Sequence, residues 1–222
     1  MIQFVKKPSL AEMVAQRVDF LTAYQDSAYA ARYKACVERV QLAEAPLGGT
    51  MLSEAVARYL FKLMAYKDEY EVARLHTDPA FMARINGMFE GDFKLVHHLA
   101  PPLLARRNDK GELVKQPFGP WVRSAFGLLA RLKGLRGGAL DVFGKSEERR
   151  TERALITEYQ ACIDELLQSL NAGNRALAAE IARIPEEIRG YGHVKQRHIQ
   201  AVRPKWDKLM QRWRAGELQK AA

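Results

Sequence analysis

The residue types best suited to chemistry crowd into Phe89–Pro102, written FEGDFKLVHHLAPP, where Glu90, Asp92, Lys94, His97 and His98 fall within a few positions of one another. Carboxylates beside imidazoles are the materials of acid–base work near neutral pH, and paired histidines are the commonest metal ligands. In an extended chain, successive side chains point to opposite faces. Phe93, Leu95 and His97 therefore face one side, and Lys94, Val96 and His98 the other. The adjacent histidines cannot then ligate one ion, and no neighbour stands at ligand spacing, so no metal site is expected. Asp141 and Glu90 qualify as bases by type, and His97, His98 and His193 as proton carriers. The chain has no HExxH, no nucleophile elbow and no carboxylate pair whose spacing demands catalysis, so no catalytic residue is assigned. The stretch LKGLRGGALDVFG, residues 132–144, combines glycines with Arg136 in the manner of an anion cradle. It follows no strand into GxGxxG and lacks GKS/T, which leaves a turn needing positive backbone angles as the simpler reading.

The elements that must position these groups are mainly helical. Ser9 with Glu12 forms a capping box, and apolar spacing carries a helix from there to about Ala45, a length that allows an interruption near Asp26–Ser27. The PLGG at 46–49 ends it. A second long helix is expected over Thr50–Leu75, with Lys67, Glu71 and Arg74 at pairing distances along its end. Asp78-Pro79 opens a short helix through Met88 with Phe81, Met82, Ile85 and Met88 inward. A hairpin turning at Asn108–Gly111 and a helix over Trp121–Lys133, apolar at Val122, Phe126, Leu129 and Ala130, follow. Ser146 caps the next helix, Arg175–Ile184 makes another, and a basic amphipathic helix runs from about Val194 to Ala215. Its apolar stripe is Ile199, Val202, Trp206, Leu209, Met210 and Trp213. The fold class expected is mainly α, a multi-helix bundle-like domain with a small antiparallel hairpin around residues 92–116. Residues 1–8 read as a lead-in, and 9–222 as a single helical domain, with two helical halves joined by an extended 89–118 segment as the alternative.

Charge is concentrated rather than spread. The formal net charge is +9; Pro102–Arg136 holds eight basic residues against two acids, and Arg189–Lys220 nine against two. Such regions attract acidic partners, and nucleic acid is one class, with Trp206 and Trp213 as stacking candidates. No apolar run reaches the ~20 residues that span a bilayer, and the N-terminal segment lacks the apolar core of a secretory signal, so a cytoplasmic location is expected. Two cysteines, Cys36 and Cys162, form no CxxC and give neither a disulfide framework nor a cluster site.

Whole phrases carry more than spacings. AYKDEYEVARLHTDPAF (65–81), FEGDFKLVHHLAPPLLARRNDKGELVKQPFGPW (89–121), LRGGALDVFGKSEERRTER (135–153) and IRGYGHVK (188–195) resemble the C-terminal region of the long single-chain bacterial indolepyruvate ferredoxin oxidoreductase family. The resemblance covers the chain from about residue 10 onward. It implies a complete enzyme that decarboxylates aryl 2-oxo acids with thiamine diphosphate and coenzyme A, passing electrons through iron–sulfur clusters to ferredoxin. Those cofactor-binding portions lie elsewhere in such polypeptides, so this chain is expected to carry no cofactor and, isolated, no turnover. It would be an accessory and assembly domain whose partners are the catalytic domains of the same polypeptide or of a second protomer, and ferredoxin. A stand-alone basic helical module for nucleic acid or an acidic protein is the alternative. The family-like phrases nominate Lys67, Glu69, Arg74, Glu90, Asp92, His97, His98, Arg136, Asp141, Arg189, His193 and Lys195 as cleft or interface contacts. Lys205, Lys208 and Arg212 form the expected docking patch.

Overall fold

The structure, a computed structural model, describes residues 8–99 and 114–221, with side chains through Gly216. The MIQFV lead-in and the expected turn at Asn108–Gly111 lie outside the described residues. The fold is mainly α with one two-stranded antiparallel element, as the sequence leads one to expect. The chain divides into two compact units, Met1–Tyr66 with Lys145–Ala222, and Lys67–Gly144. The described part of the 89–118 segment lies within the second.

In the first unit, α1 (Leu10–Tyr24) begins at the expected box: Ser9 Oγ accepts from the Glu12 amide at 3.2 Å, and Glu12 accepts from the Ser9 amide at 2.7 Å. The interruption falls at Gln25–Asp26, where Asp26 turns extended and caps α2 (Ser27–Glu44) by accepting from the Tyr29 amide at 2.7 Å. After a single 3-10 turn, Gly48 and Gly49 take φ of +74° and +79°, angles open to glycine at no steric cost. Glu44, 1% exposed, then accepts from the amides of Leu52 and Ser53, both at 2.8 Å, and from the Ser53 hydroxyl at 2.6 Å. This carboxylate from the end of α2 satisfies the open N-terminus of α3 (Met51–Met64).

The long helix expected over Thr50–Leu75 is in fact two. α3 stops at Met64, and Asp68 caps α4 (Glu69–Thr77). Tyrosines replace the missing helical turns: Tyr29 donates to the Met64 carbonyl at 3.0 Å and Tyr24 to the Tyr66 carbonyl at 2.8 Å. Both carbonyls are thereby satisfied without water.

The unit continues in α7 (Glu147–Gln168), capped by Ser146, α8 (Arg175–Ala182) and α9 (Gly192–Ala221), which starts two residues before the expected Val194. Between α8 and α9 runs a 3-10 turn at Ile184–Glu186. The expected stripe of α9, from Ile199 to Trp213, is buried with Leu21, Tyr33, Leu60, Tyr159, Ile163 and Ile181 in one large apolar cluster.

The second unit holds α4, α5 (Pro79–Asn86), β1 (His97–Leu99), β2 (Gln116–Phe118) and α6 (Val122–Arg131), followed by a 3-10 turn at Leu132–Leu135. Asp78 caps α5 as predicted, accepting from the Phe81 amide at 2.9 Å. The helix ends at Asn86, however, and Met88 is 65% exposed rather than inward. The strands pair with His97 opposite Phe118 and Leu99 opposite Gln116. α6 lies on α4 through a small cluster of Ala73, Val122 and Phe126, with Leu99, Phe118, Leu129 and Ala130 against it.

Candidate functional site

The second unit is closed by polar side chains. Asp68 Oδ1 caps α4 by accepting from the Glu71 amide at 2.8 Å. The same carboxylate takes a two-pronged guanidinium, with Arg136 Nε on Oδ2 at 2.5 Å and Nη2 on Oδ1 at 2.9 Å. Arg136 also lies over the Tyr70 ring, 5.4 Å from its centre. The Tyr70 hydroxyl donates to Asp141 Oδ1 at 3.1 Å, and Asp141 further accepts from the amides of Gly137 at 2.7 Å, Gly144 at 2.8 Å and Phe143 at 3.2 Å. Asp68, Arg136 and Asp141 are all buried.

The glycine-containing elbow is thus a turn wound around one carboxylate. Gly137 has φ of +74°, the conformation anticipated for it. Burial pushes the Asp141 carboxyl up, but the amides of Gly137 and Gly144, the Tyr70 hydroxyl and the Phe143 amide outweigh it and hold the group below the usual carboxylate range. Burial and the Asp141 charge push Tyr70 up to about 12. An ionised carboxylate surrounded by donors is a weak base, and a phenol this weakly acidic is a weak proton source at neutral pH. The network is suited to holding the chain, not to proton transfer.

A second cluster joins the histidines. His97 is 6% exposed and His98 is exposed, so the strand alternation expected of them is observed. His97 meets a partner the sequence did not single out: His76 of α4, edge-on at 4.9 Å between ring centres. His76 stacks on Phe126 at 5.4 Å and meets the Phe81 edge at 5.9 Å, and its Nδ1 has no hydrogen-bond partner among the described residues. Burial lowers both imidazoles, aided at His76 by His97 and Lys67 and at His97 by Arg123. Beside them Leu75, His76, Asp78, Ala80, Phe81 and Arg84 line an open groove of about 440 Å³.

The remaining nominated residues are placed as follows on the two units. Arg74 forks onto Glu71 with two contacts of 2.8 Å, so Glu71 pairs three residues ahead along α4. Lys67 is exposed, Glu69 half-buried, and Glu90 and Asp92 exposed. In the first unit, Arg189 donates its amide to His198 Nδ1 at 3.1 Å, His193 is exposed, and Lys195 pairs with Glu152. Two further pairs tie α9 to α7, Arg203 with Glu158 and Arg214 with Glu165. Of the expected docking patch, Lys205 pairs with Glu187, while Lys208 and Arg212 are exposed. Trp206 and Trp213 are 4% and 2% exposed and serve the core rather than a stacking surface. Cys36 and Cys162 are free, buried thiols on different helices, a donor set unsuited to an iron–sulfur cluster. Among the described residues no group of three or more His, Cys, Asp or Glu side chains is placed to hold a metal ion, and no helix is long and apolar enough to cross a membrane.

What distinguishes the second unit is apolar surface. Of the fourteen large hydrophobic side chains exposed among the described residues, eleven belong to it, including Met88, Phe89, Trp121, Leu128, Leu140 and Val142. The model of one protein family matches residues 10–208, from the first helix well into the last. The chain belongs to DUF6537, a family of unknown function. No curated protein matches it, and no solved structure does. In this DUF6537 chain the sequence pointed to polar residues, and the structure uses most of the buried ones to hold its own fold. The signal for the apolar surface was in plain view as Trp121, Leu128 and Leu132, which share a helical row beside the one taken inward.

Proposed function

We propose that this chain is an accessory and assembly domain that packs against other protein surfaces within an indolepyruvate-type 2-oxoacid:ferredoxin oxidoreductase. The observation that carries the docking role is the eleven large hydrophobic side chains exposed on the second unit among the described residues, against three on the first. The enzyme it would serve is suggested by the long phrases at 65–81, 89–121, 135–153 and 188–195. Thiamine diphosphate, coenzyme A and the iron–sulfur clusters would be held by other parts of that enzyme. The exposed cations Lys208 and Arg212, with Lys205 beside them in sequence, give an acidic electron carrier a reason to approach α9.

Two measurements test this. The 222-residue chain is mixed with the catalytic region of such an oxidoreductase, and co-elution on gel filtration is expected; separate elution at micromolar concentrations overturns the assembly role. In the complete enzyme, reversing Lys205, Lys208 and Arg212 to Glu is expected to slow ferredoxin reduction several-fold at low salt and little at high salt. An unchanged rate and salt dependence would sink the electron-carrier contact.

A further inference from the structure

Along α7, Glu158, Cys162 and Glu165 stand at steps of four and three, and along α9, Trp206, Met210 and Arg214 at steps of four, so each helix sets these groups on one face. The two faces line an open groove of about 380 Å³ within the first unit. Two sulfur atoms meet in its lining: the Cys162 thiol donates to Met210 Sδ at 3.5 Å. Cys162 is 8% and Met210 7% exposed, so the pair is sheltered, yet the groove connects it to solvent. The Trp206 indole N–H donates to the Cys162 sulfur as well.

The donors select the guest. A thiolate with a thioether is a soft ligand pair, which favours soft metal ions over magnesium, calcium or manganese. Structural zinc takes four ligands, and among the described residues no group of three His, Cys, Asp or Glu is assembled to supply them. Charge narrows the choice to a monovalent ion. As the ion bonds to Cys162 Sγ, the S–H bond breaks, the proton passes to water, and Met210 Sδ adds a lone pair. One positive charge enters and one leaves, whereas a divalent ion would leave a net charge to desolvate. Of the carboxylates in the lining, Glu158 is held by Arg203 and Glu165 by Arg214, and Asp207 is exposed; none of these is buried beside the sulfurs to neutralise a second charge. With metal–sulfur bonds of about 2.3 Å, the pair as it stands brackets an ion in a bent arrangement. The three rotatable bonds of Met210 allow the shift of about 1 Å that straightens it.

We propose that Cys162 and Met210 form a two-sulfur site for a soft monovalent metal ion of the Cu(I) or Ag(I) kind, entered through the groove between α7 and α9. The site belongs to the first unit and is independent of the docking role and of the enzyme named above. Cys162 supplies the thiolate, Met210 the neutral second ligand, and the Trp206 N–H orients the sulfur. Burial pushes the Cys162 thiol up to about 11, so the empty site stays protonated at neutral pH and an ion binds by displacing that proton. The other thiol is differently placed: Cys36 on α2 is met by Arg39, a cation that opposes an incoming one.

The test titrates the reduced 222-residue chain with Ag(I), an air-stable stand-in for Cu(I), and follows the methyl carbons of its seven methionines by NMR. The Met210 methyl, assigned by its loss in Met210→Leu, is expected to shift and to saturate at one equivalent with release of one proton. Because one proton is displaced, the apparent affinity should rise about tenfold per pH unit between pH 6 and 8. Cys162→Ala should abolish the shift, and Zn(II) at the same concentration should produce none. Met210→Leu, a swap of similar volume, should weaken Ag(I) binding at Cys162 roughly tenfold or more, read as lost protection of that thiol from alkylation. Met210→Cys should restore it, which separates loss of a ligand from damage to the fold. An unmoved Met210 methyl, a shift that survives Cys162→Ala, or an equal shift with Zn(II) overturns the proposal. Protection of Cys162 that is indifferent to Met210→Leu also overturns it, by showing a thiol that binds silver alone.

Discussion

The two units solve the same problem with different materials. The first buries an extensive cluster drawn from six helices, including Leu21, Tyr33, Leu60, Tyr159, Ile163 and Trp213. The second has Ala73, Val122 and Phe126 at its centre and depends on Asp68, Tyr70, Arg136 and Asp141 to close. Apolar burial tolerates small displacements because it lacks direction, whereas a buried ion pair fails abruptly when one partner leaves. The first unit is therefore expected to yield gradually to core substitutions, and the second to hinge on single polar residues.

The largest effect should come from Arg136→Ala. Leaving Asp68 buried and unpaired costs about 3–5 kcal/mol, read as lost hydrogen-exchange protection in α4 and α6. Protection in α3 and α7 should persist; loss of it there would show that the two units do not unfold separately. Pairing Arg136→Met with Asp68→Leu should recover much of that loss. The corresponding change in the first unit, Tyr159→Phe, removes the 2.8 Å bond to the Ala182 carbonyl and should cost about 1–3 kcal/mol on chemical denaturation.

A gentler probe is acidity. His76 and His97 are held neutral in the folded second unit, since both titrate below their ordinary value. Unfolded imidazoles take up protons as pH falls through about 6.5, so stability is full above that value and declines below it. Protection of the α4 and α6 amides, corrected for the intrinsic pH dependence of exchange, should fall as pH drops below about 6.5, and His97→Phe should flatten the response. A profile as steep in that variant would remove the histidine pair as the cause. The smallest effect is expected at Leu128→Asp, within about 0.5 kcal/mol on stability. A larger loss there would mean that the outer row of α6 is already packed.

These contrasts also explain what the sequence could and could not convey. The Ser9–Glu12 box, the Asp78-Pro79 start, the Ser146 cap and the α9 stripe depend on neighbours within a turn or two, and each is legible by spacing alone. The break between α3 and α4 is not, because Asp68 is claimed by an arginine 68 positions later and the freed carbonyls by tyrosines of α1 and α2. Glu44 looks like one more helix-surface acid until α3 folds back onto it. The nominated Arg136 and Asp141 do converge, though the third and fourth members of their network, Asp68 and Tyr70, carry no motif. His97 and His98 were separable by strand parity, while His76 reaches His97 only through the packing of α4 and the strands. For α6 both apolar rows are visible in the sequence, but which one faces solvent depends on what lies beneath.

The Asp68–Arg136 pair also bears on modularity. It brings together the point where the chain enters the second unit and the point where it prepares to leave, and Arg149 over the Tyr66 ring, 6.0 Å from its centre, does the same for the flanking ends of the first. A segment whose ends already meet can be spliced into a host helical fold, or lost from it, with little loop to close. The 67–144 segment has the layout of a cassette, which a short linker from Tyr66 to Lys145 could replace with little loop to close.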